Sequence, residues 1–179
     1  MTIEGSNTSS PAGRRLRLGM VGGGRGAFIG AVHRIAARID DHYQLVAEAL
    51  SSTAEKARRS GEILGLAADR IYGDYESMAK TETGRPDGIE AVAIVTPNHM
   101  HAGPAIAFLG AGVHVICDKP LTVSLTEAKR VQAAVEKSGR IFALTHNYTG
   151  YPLTRRMRET KAATSASFGS CRSNMRRTR

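Results

Sequence analysis

The chain of 179 residues is predicted to fold as an α/β domain built on a doubly wound parallel sheet. Three observations lead there. Short β-rich runs alternate with amphipathic helical patterns from Leu16 to Thr145, the signature of βαβ units. Several runs, such as Ala91-Val92-Ala93-Ile94-Val95, are apolar without alternation, as expected of strands covered by helices on both faces. The first run passes directly into the glycine-rich turn Gly22-Gly23-Gly24-Arg25-Gly26.

In chain order, the strands are placed at 16–21, 44–51, 70–72, 91–95, 113–117 and 141–145. Helices are predicted to begin near Gly26, Thr53, Tyr75, Met100, Ser124 and Tyr151. Right-handed crossovers then give the strand order 3-2-1-4-5-6. Ser124 precedes Glu127 at capping-box spacing, and Ala128, Val131 and Val135 share one face of the following helix until Gly139 stops it. Gly110 and Gly112 close the helix before the fifth strand. Residues 1–15 read as a disordered leader rich in glycine, serine and threonine. Arg14-Arg15 resembles an export signal, but Arg17 and several glycines interrupt the apolar stretch behind it, and that stretch is needed as the first strand.

Composition narrows the function classes. No apolar run approaches the roughly 20 residues of a membrane-spanning helix, so no membrane partner is expected. Cys117 and Cys171 give neither a disulfide framework nor a metal-ligand spacing, and a reducing, cytoplasmic location is the default. The formal charge of +9 suggests an anionic partner, yet Lys161, Arg172, Arg176, Arg177 and Arg179 all follow position 160, where no acid occurs. Without those five, 20 basic residues face 16 acidic ones. The body is only mildly basic, and no nucleic-acid partner is expected.

The glycine turn fits G-x-G-x-x-G/A, the dinucleotide fingerprint of a Rossmann fold, with Gly22, Gly24, Arg25, Gly26 and Ala27 as candidate cofactor residues. Gly22 would permit the tight turn, Gly24 the approach of pyrophosphate, and Ala27 close packing of helix on strand. The second strand runs out at Ser51 and Ser52 without an acid for the adenosine ribose, since Glu48 comes too early. With Lys56, Arg58 and Arg59 following, these hydroxyls suit a 2′-phosphate, which favours NADP over NAD. The alternative is that the basic residues are only the solvated face of the second helix. After the fourth strand, Thr96, Pro97, Asn98, His99 and His101 stand beside the crevice where nicotinamide and substrate would lie. Two histidines without a third ligand make no metal site, and Asn98 also reads as a helix N-cap. Asp118-Lys119-Pro120 follows the fifth strand. Its lysine is the candidate catalytic residue, because a lysine past a buried strand points into the crevice and can bind a substrate hydroxyl.

These segments, together with His146-Asn147-Tyr148, resemble the glucose-fructose oxidoreductase, inositol dehydrogenase and rhizopine catabolism (Gfo/Idh/MocA) family over roughly 16–159. The family's E-K-P is here Asp118-Lys119-Pro120. The resemblance implies an NAD(P)-dependent oxidoreductase of sugars or polyols, with Lys119 orienting the reacting hydroxyl and assisting proton transfer. It implies a cis peptide before Pro120, Asp118 beside the cofactor, and His99, Asn147 and Lys119 toward substrate. Ser51, Ser52 and Lys56 resemble the arrangement of NADP-binding members. A non-catalytic dinucleotide-binding module is the alternative function.

Members of the family continue into a second α/β domain that supplies an acid/base histidine and often the homo-oligomer interface. That domain is expected to be missing here, which gives a dinucleotide-binding domain over 16–160 and an unstructured basic tail over 161–179. Written in GC-rich synonymous codons and read one base earlier, 163–178 decodes to G-D-L-G-K-L-R-V-V-Q-V-E-Y-A-Q-D, which resembles the family's continuation. A one-base frameshift is the expected cause, with low or no activity and an exposed apolar patch as consequences.

Overall fold

The computed structural model describes residues 13–24, 26–49 and 53–160. Five parallel strands, β1 (Leu16–Gly22), β2 (Tyr43–Ala49), β3 (Ala91–Val95), β4 (His114–Cys117) and β5 (Phe142–Leu144), pair in the order β2-β1-β3-β4-β5. Helices α1 (Phe28–Ile39), α2 (Ala54–Ile63), α3 (Tyr75–Thr83), α4 (Ala102–Gly110) and α5 (Leu125–Ser138) occupy the connections. The doubly wound α/β fold expected from the sequence is the one observed.

The apolar run of β3 explains the layering, because successive side chains of a strand point to opposite faces. Val92 and Ile94 pack with Met78 of α3, Phe108 and Leu109 of α4 and Val131 of α5. Ala91, Ala93 and Val95 pack on the other face with Leu18 and Met20 of β1 and Ile29 and Ala37 of α1. All five β3 residues are buried.

One predicted strand is corrected. Residues Ala68–Arg70 form a short 3₁₀ turn, and the segment joins the sheet only through a single parallel bridge from Ile71 to Glu48. The Tyr72 N–H donates to the Glu48 carbonyl at 2.8 Å. The segment is held instead by charge. The buried Arg70 guanidinium donates from Nε and Nη2 to the carboxylate of Glu82, and from Nη1 to Asp87 Oδ2 at 3.1 Å. The Tyr72 hydroxyl and the Ile89 N–H donate to the same Glu82 carboxylate. Counted in its place beside β2, the bridge completes the predicted 3-2-1-4-5-6 order.

Helix ends follow their local chemistry. Ser124 Oγ accepts from the Glu127 N–H at 3.2 Å, and Gly139, at φ 62°, closes α5. Asp74 caps α3 by accepting from the Ser77 N–H at 2.6 Å, and that bond with the Ser77 hydroxyl holds its carboxyl below the usual range. α4 begins two residues later than predicted, behind a 3₁₀ turn at Asn98–Met100, and Asn98 makes no side-chain cap.

The chain divides into two compact units between Thr145 and His146, ahead of the boundary at 160 read from the sequence. The described part of the second unit is a 3₁₀ turn, Asn147–Gly150, and a helical stretch over 152–160. Tyr148 and Tyr151 pack edge to face there, 5.5 Å apart.

Phe28, Val32, Ile35 and Ile39 of α1 are exposed, Phe28 by 82%, and their spacing puts them on one stripe. Self-association is the expected result. Size-exclusion chromatography should show the chain eluting ahead of a monomer, and replacing Phe28 and Ile39 with lysine should return it to monomer size. Unchanged monodisperse elution of the parent chain would refute this.

Candidate functional site

The glycine turn leaves β1 in backbone conformations that side chains resist. Gly22, Gly23 and Gly26 have φ of 78°, 75° and 84°, a region glycine enters without steric penalty. A Cβ on Gly22 would lie 2.9 Å from the Thr96 N, and one on Gly23 would lie 2.7 Å from the Gly30 Cα. The close packing expected of Ala27 is therefore made by Gly23 against Gly30, in the first turn of α1. Ala27 itself is exposed at the N-cap position and offers no side-chain cap. Arg34, one turn beyond Gly30, donates to the Gly23 carbonyl at 2.9 Å and braces the loop. The first turn of α1 thus carries uncapped N–H groups and no acidic residue, which suits an anion at the helix N-terminus.

A cleft of about 920 Å³ opens over this turn at the carboxyl ends of β1, β2 and β3. Gly22, Gly24, Gly26, Ala27, Lys56, Thr96 and Pro97 all line it, so seven of the predicted cofactor residues are brought together. Arg59 joins them, whereas Arg58 turns away to pair with Glu62 at 3.1 Å. Asp74, Tyr75 and Glu76 form part of the wall, and a hydrogen bond with Glu76, aided by burial, pushes the Tyr75 hydroxyl up to about 12. Arg25, Ser51 and Ser52 lie outside the described residues. The shape, the glycine cradle and the uncapped helix end fit a dinucleotide.

Glu48 is excluded as a ribose acceptor. It is fully buried, neither carboxyl oxygen has a hydrogen-bond partner, and burial pushes it up to about 7 against the opposing charge of Arg34. Its carboxyl lies beneath α2, where a Cβ on Gly61 would come 2.5 Å from Oε1.

At the ends of β3 and β4 the predicted residues take distinct roles. Asn98 and His99 are exposed and do not line the cleft. His101, expected at the cofactor, is buried, and its ring nitrogens lie against the backbone carbonyls of Pro120 and Thr96, at 2.8 and 2.9 Å. Asp118 is half-buried, its Oδ1 accepting from the Thr145 hydroxyl at 2.9 Å and lying 3.5 Å from His33 Nε2. This places Asp118 in a bracing role. Lys119 is exposed beyond β4 and makes no hydrogen bond or ion pair among the described residues. The Lys119–Pro120 peptide is cis, as the resemblance implied. Cys117 is buried, which pushes its thiol up to about 12 and makes it unreactive. Asn147 stands in the second unit, in the turn Asn147–Gly150. Among the described residues, no group of three or more histidine, cysteine or carboxylate side chains is placed to hold a metal, and no helix is long and apolar enough to cross a membrane.

The profile of an oxidoreductase family with an NAD-binding Rossmann fold, Gfo/Idh/MocA, matches residues 16–146. The chain belongs to this family. Among Gfo/Idh/MocA relatives, an uncharacterized oxidoreductase of Bacillus subtilis, YfiI, is 43% identical over 144 residues, covering 80% of this chain and 37% of that protein. The crystal structure of an oxidoreductase from Sinorhizobium meliloti superposes with a TM-score of 0.78 at 62% identity, covering 82% of this chain and 41% of the other. An inositol dehydrogenase homolog from Azotobacter vinelandii, complexed with NAD+, gives 0.83 at 38% identity, covering 88% and 40%. The chain therefore spans about two fifths of the Gfo/Idh/MocA proteins it matches.

Sequence reasoning missed Gly30, Arg34, His33 and Thr145 as parts of this site. A signal for two of them was present. Gly30 and Arg34 are four apart on one helix face, directed at the glycine turn. His33 and Thr145 meet Asp118 only through the fold.

Proposed function

We propose that this chain is the cofactor-binding portion of an NADP(H)-dependent oxidoreductase that acts on a carbinol carbon of a polyol or sugar. The observation that carries the reading is the single cleft joining the glycine turn to Lys56 and Arg59, with the acid of β2 buried away from it. Two cations of α2 lining the cleft beside the end of β2, where the one acid of the strand, Glu48, is buried, favour a 2′-phosphate. Gly22, Gly23 and the N-terminus of α1 would hold the pyrophosphate, and Thr96 and Pro97 would border the nicotinamide ribose. Bound nicotinamide supplies hydride transfer. Lys119, without a partner among the described residues, would orient the reacting hydroxyl through its ammonium and assist loss of its proton. The likeness to the inositol dehydrogenase homolog supports a polyol-type substrate.

Fluorescence titration should show NADPH binding more tightly than NADH. Replacing Lys56 and Arg59 together with alanine should cost about tenfold or more in NADPH affinity while leaving NADH unchanged, the scale of losing a charged hydrogen bond to phosphate. Equal affinities in the parent chain would refute the NADP assignment.

A second reading is a dinucleotide-binding module without turnover, favoured by the cleft, whose lining residues all lie between Val21 and Pro104 and do not include Lys119. Binding of NADPH, with no oxidation of any member of a polyol panel when NADP+ is supplied as hydride acceptor, supports it, whereas turnover abolished by Lys119→Ala supports the enzyme. The frameshift remains part of the proposal for 161–179. Resequencing the gene there should reveal the continuation in another frame, and an intact frame without those codons would overturn it.

A further inference from the structure

Glu48 is the one acid of β2, and none of its surface is exposed. Neither carboxyl oxygen has a hydrogen-bond partner among the described residues. The carboxyl lies beneath α2, where a Cβ added to Gly61 would meet Glu48 Oε1 at 2.5 Å and also the side chain of Ile71. The helix therefore rests on this carboxyl through a glycine. Two residues and one turn earlier, the same helix presents Arg59 and Lys56 to the cleft. A neutral carboxyl tolerates such a place at modest cost, whereas an unpaired carboxylate does not.

The charges around Glu48 are engaged elsewhere or face solvent. On α1, Arg34 is the nearest cation, and it donates to the Gly23 carbonyl at 2.9 Å; His33 lies toward Asp118, and Arg38 is exposed. On α2, Glu55, Lys56, Arg58, Arg59 and Glu62 are all exposed. On the segment carrying Ile71, Asp69 pairs with Arg85, Arg70 pairs with Glu82 and Asp87, and the Tyr72 hydroxyl donates to Glu82. The stretch of β1 from Leu18 to Gly22 has no ionisable side chain.

We infer that Glu48 is a positioning residue for the cofactor cleft: its neutral carboxyl seats α2, and its ionisation loosens that helix together with Lys56 and Arg59. Burial raises the carboxyl from 4.5 to about 7, against the charge of Arg34. The seat is therefore at full strength below pH 4.5 and weakens progressively as pH rises to about 7. Preference for a 2′-phosphate should then fall as pH rises. That consequence rests on the proposed role of Lys56 and Arg59; the seat itself does not.

The test is amide hydrogen exchange on the full chain without cofactor. The amides of Ala57 and Leu64, bonded to Thr53 and to Ser60 and Gly61, report opening of α2. Dividing by the same rates in Glu48→Met cancels the intrinsic pH dependence of exchange. The ratio should rise about tenfold between about pH 6 and about pH 8. A constant ratio would overturn the inference. The Val115 amide, bonded to Ile141 within the sheet, should exchange more slowly than either at both pH values. Equal exchange at all three would mean that α2 opens only with the whole domain, and would overturn the positioning role. Should Glu48→Met fail to fold, Glu48→Gln is the reference that does not titrate.

Saturating NADPH should slow exchange of Ala57 and Leu64 at about pH 8, and NADH should slow it less. A pH-linked ratio without this effect of NADPH supports the seat and refutes the cofactor assignment. Loss of the linkage refutes the seat whatever NADPH does, so the two failures are distinguishable.

Discussion

Arg70→Met should destabilise the domain by about 3–5 kcal/mol, the usual result of leaving a buried charge without its partner. In urea denaturation this removes a large share of total stability, and the melting temperature should fall by roughly 10 °C or more. Glu82 is almost wholly buried, and it accepts from Arg70, Tyr72 and the Ile89 backbone. With the guanidinium gone, two neutral donors must support a carboxylate that water cannot reach. The same argument predicts partial rescue. Arg70→Met combined with Glu82→Leu removes both charges and should recover more than half of the loss, because an apolar replacement of a whole buried pair is often neutral. An Arg70→Met variant within about 1 kcal/mol of the parent, as judged against ordinary surface substitutions, would show that the network does not carry the segment before α3.

The second large effect is a pH dependence at Glu48. Its folded-state value, raised by burial from 4.5 to about 7, lies above that of the unfolded chain. The stability it allows is fully present below pH 4.5 and is lost progressively as pH rises to about 7, because the unfolded state releases its proton first. At about 1.4 kcal/mol per pKa unit, the loss is on the order of 3 kcal/mol. Glu48→Met keeps the volume and removes the titration. Unfolding free energies on either side of this window should fall for the parent and stay level for the variant in that contribution. Parallel pH profiles for the two proteins would refute it.

Much of the fold could be read directly because local signals agreed with one another. The β3 run, the Ser124 cap and the Gly139 stop each act over a few residues, and each was found where its chemistry put it. Segment 70–72 misled because its β-branched and aromatic residues read as strand, while the role of Arg70 depends on Glu82 and Asp87, which arrive from later in the chain. The site shows the same division. The residues of the glycine turn declare themselves by composition. His101 carried a plausible chemical type in a plausible place, and only the approach of Pro120 from a separate strand end showed that its ring faces inward. Arg58 and Arg59 were equal in sequence, and helical phase alone sends one to Glu62 and the other to the cleft.

Glu48 and Gly61 share one volume of space, since a side chain at 61 would meet the carboxyl oxygen of 48. Among homologous proteins the two positions should therefore vary as a pair: a smaller residue on the strand releases the helix position to carry a methyl group or more, and a glycine is retained only where the strand keeps a long side chain.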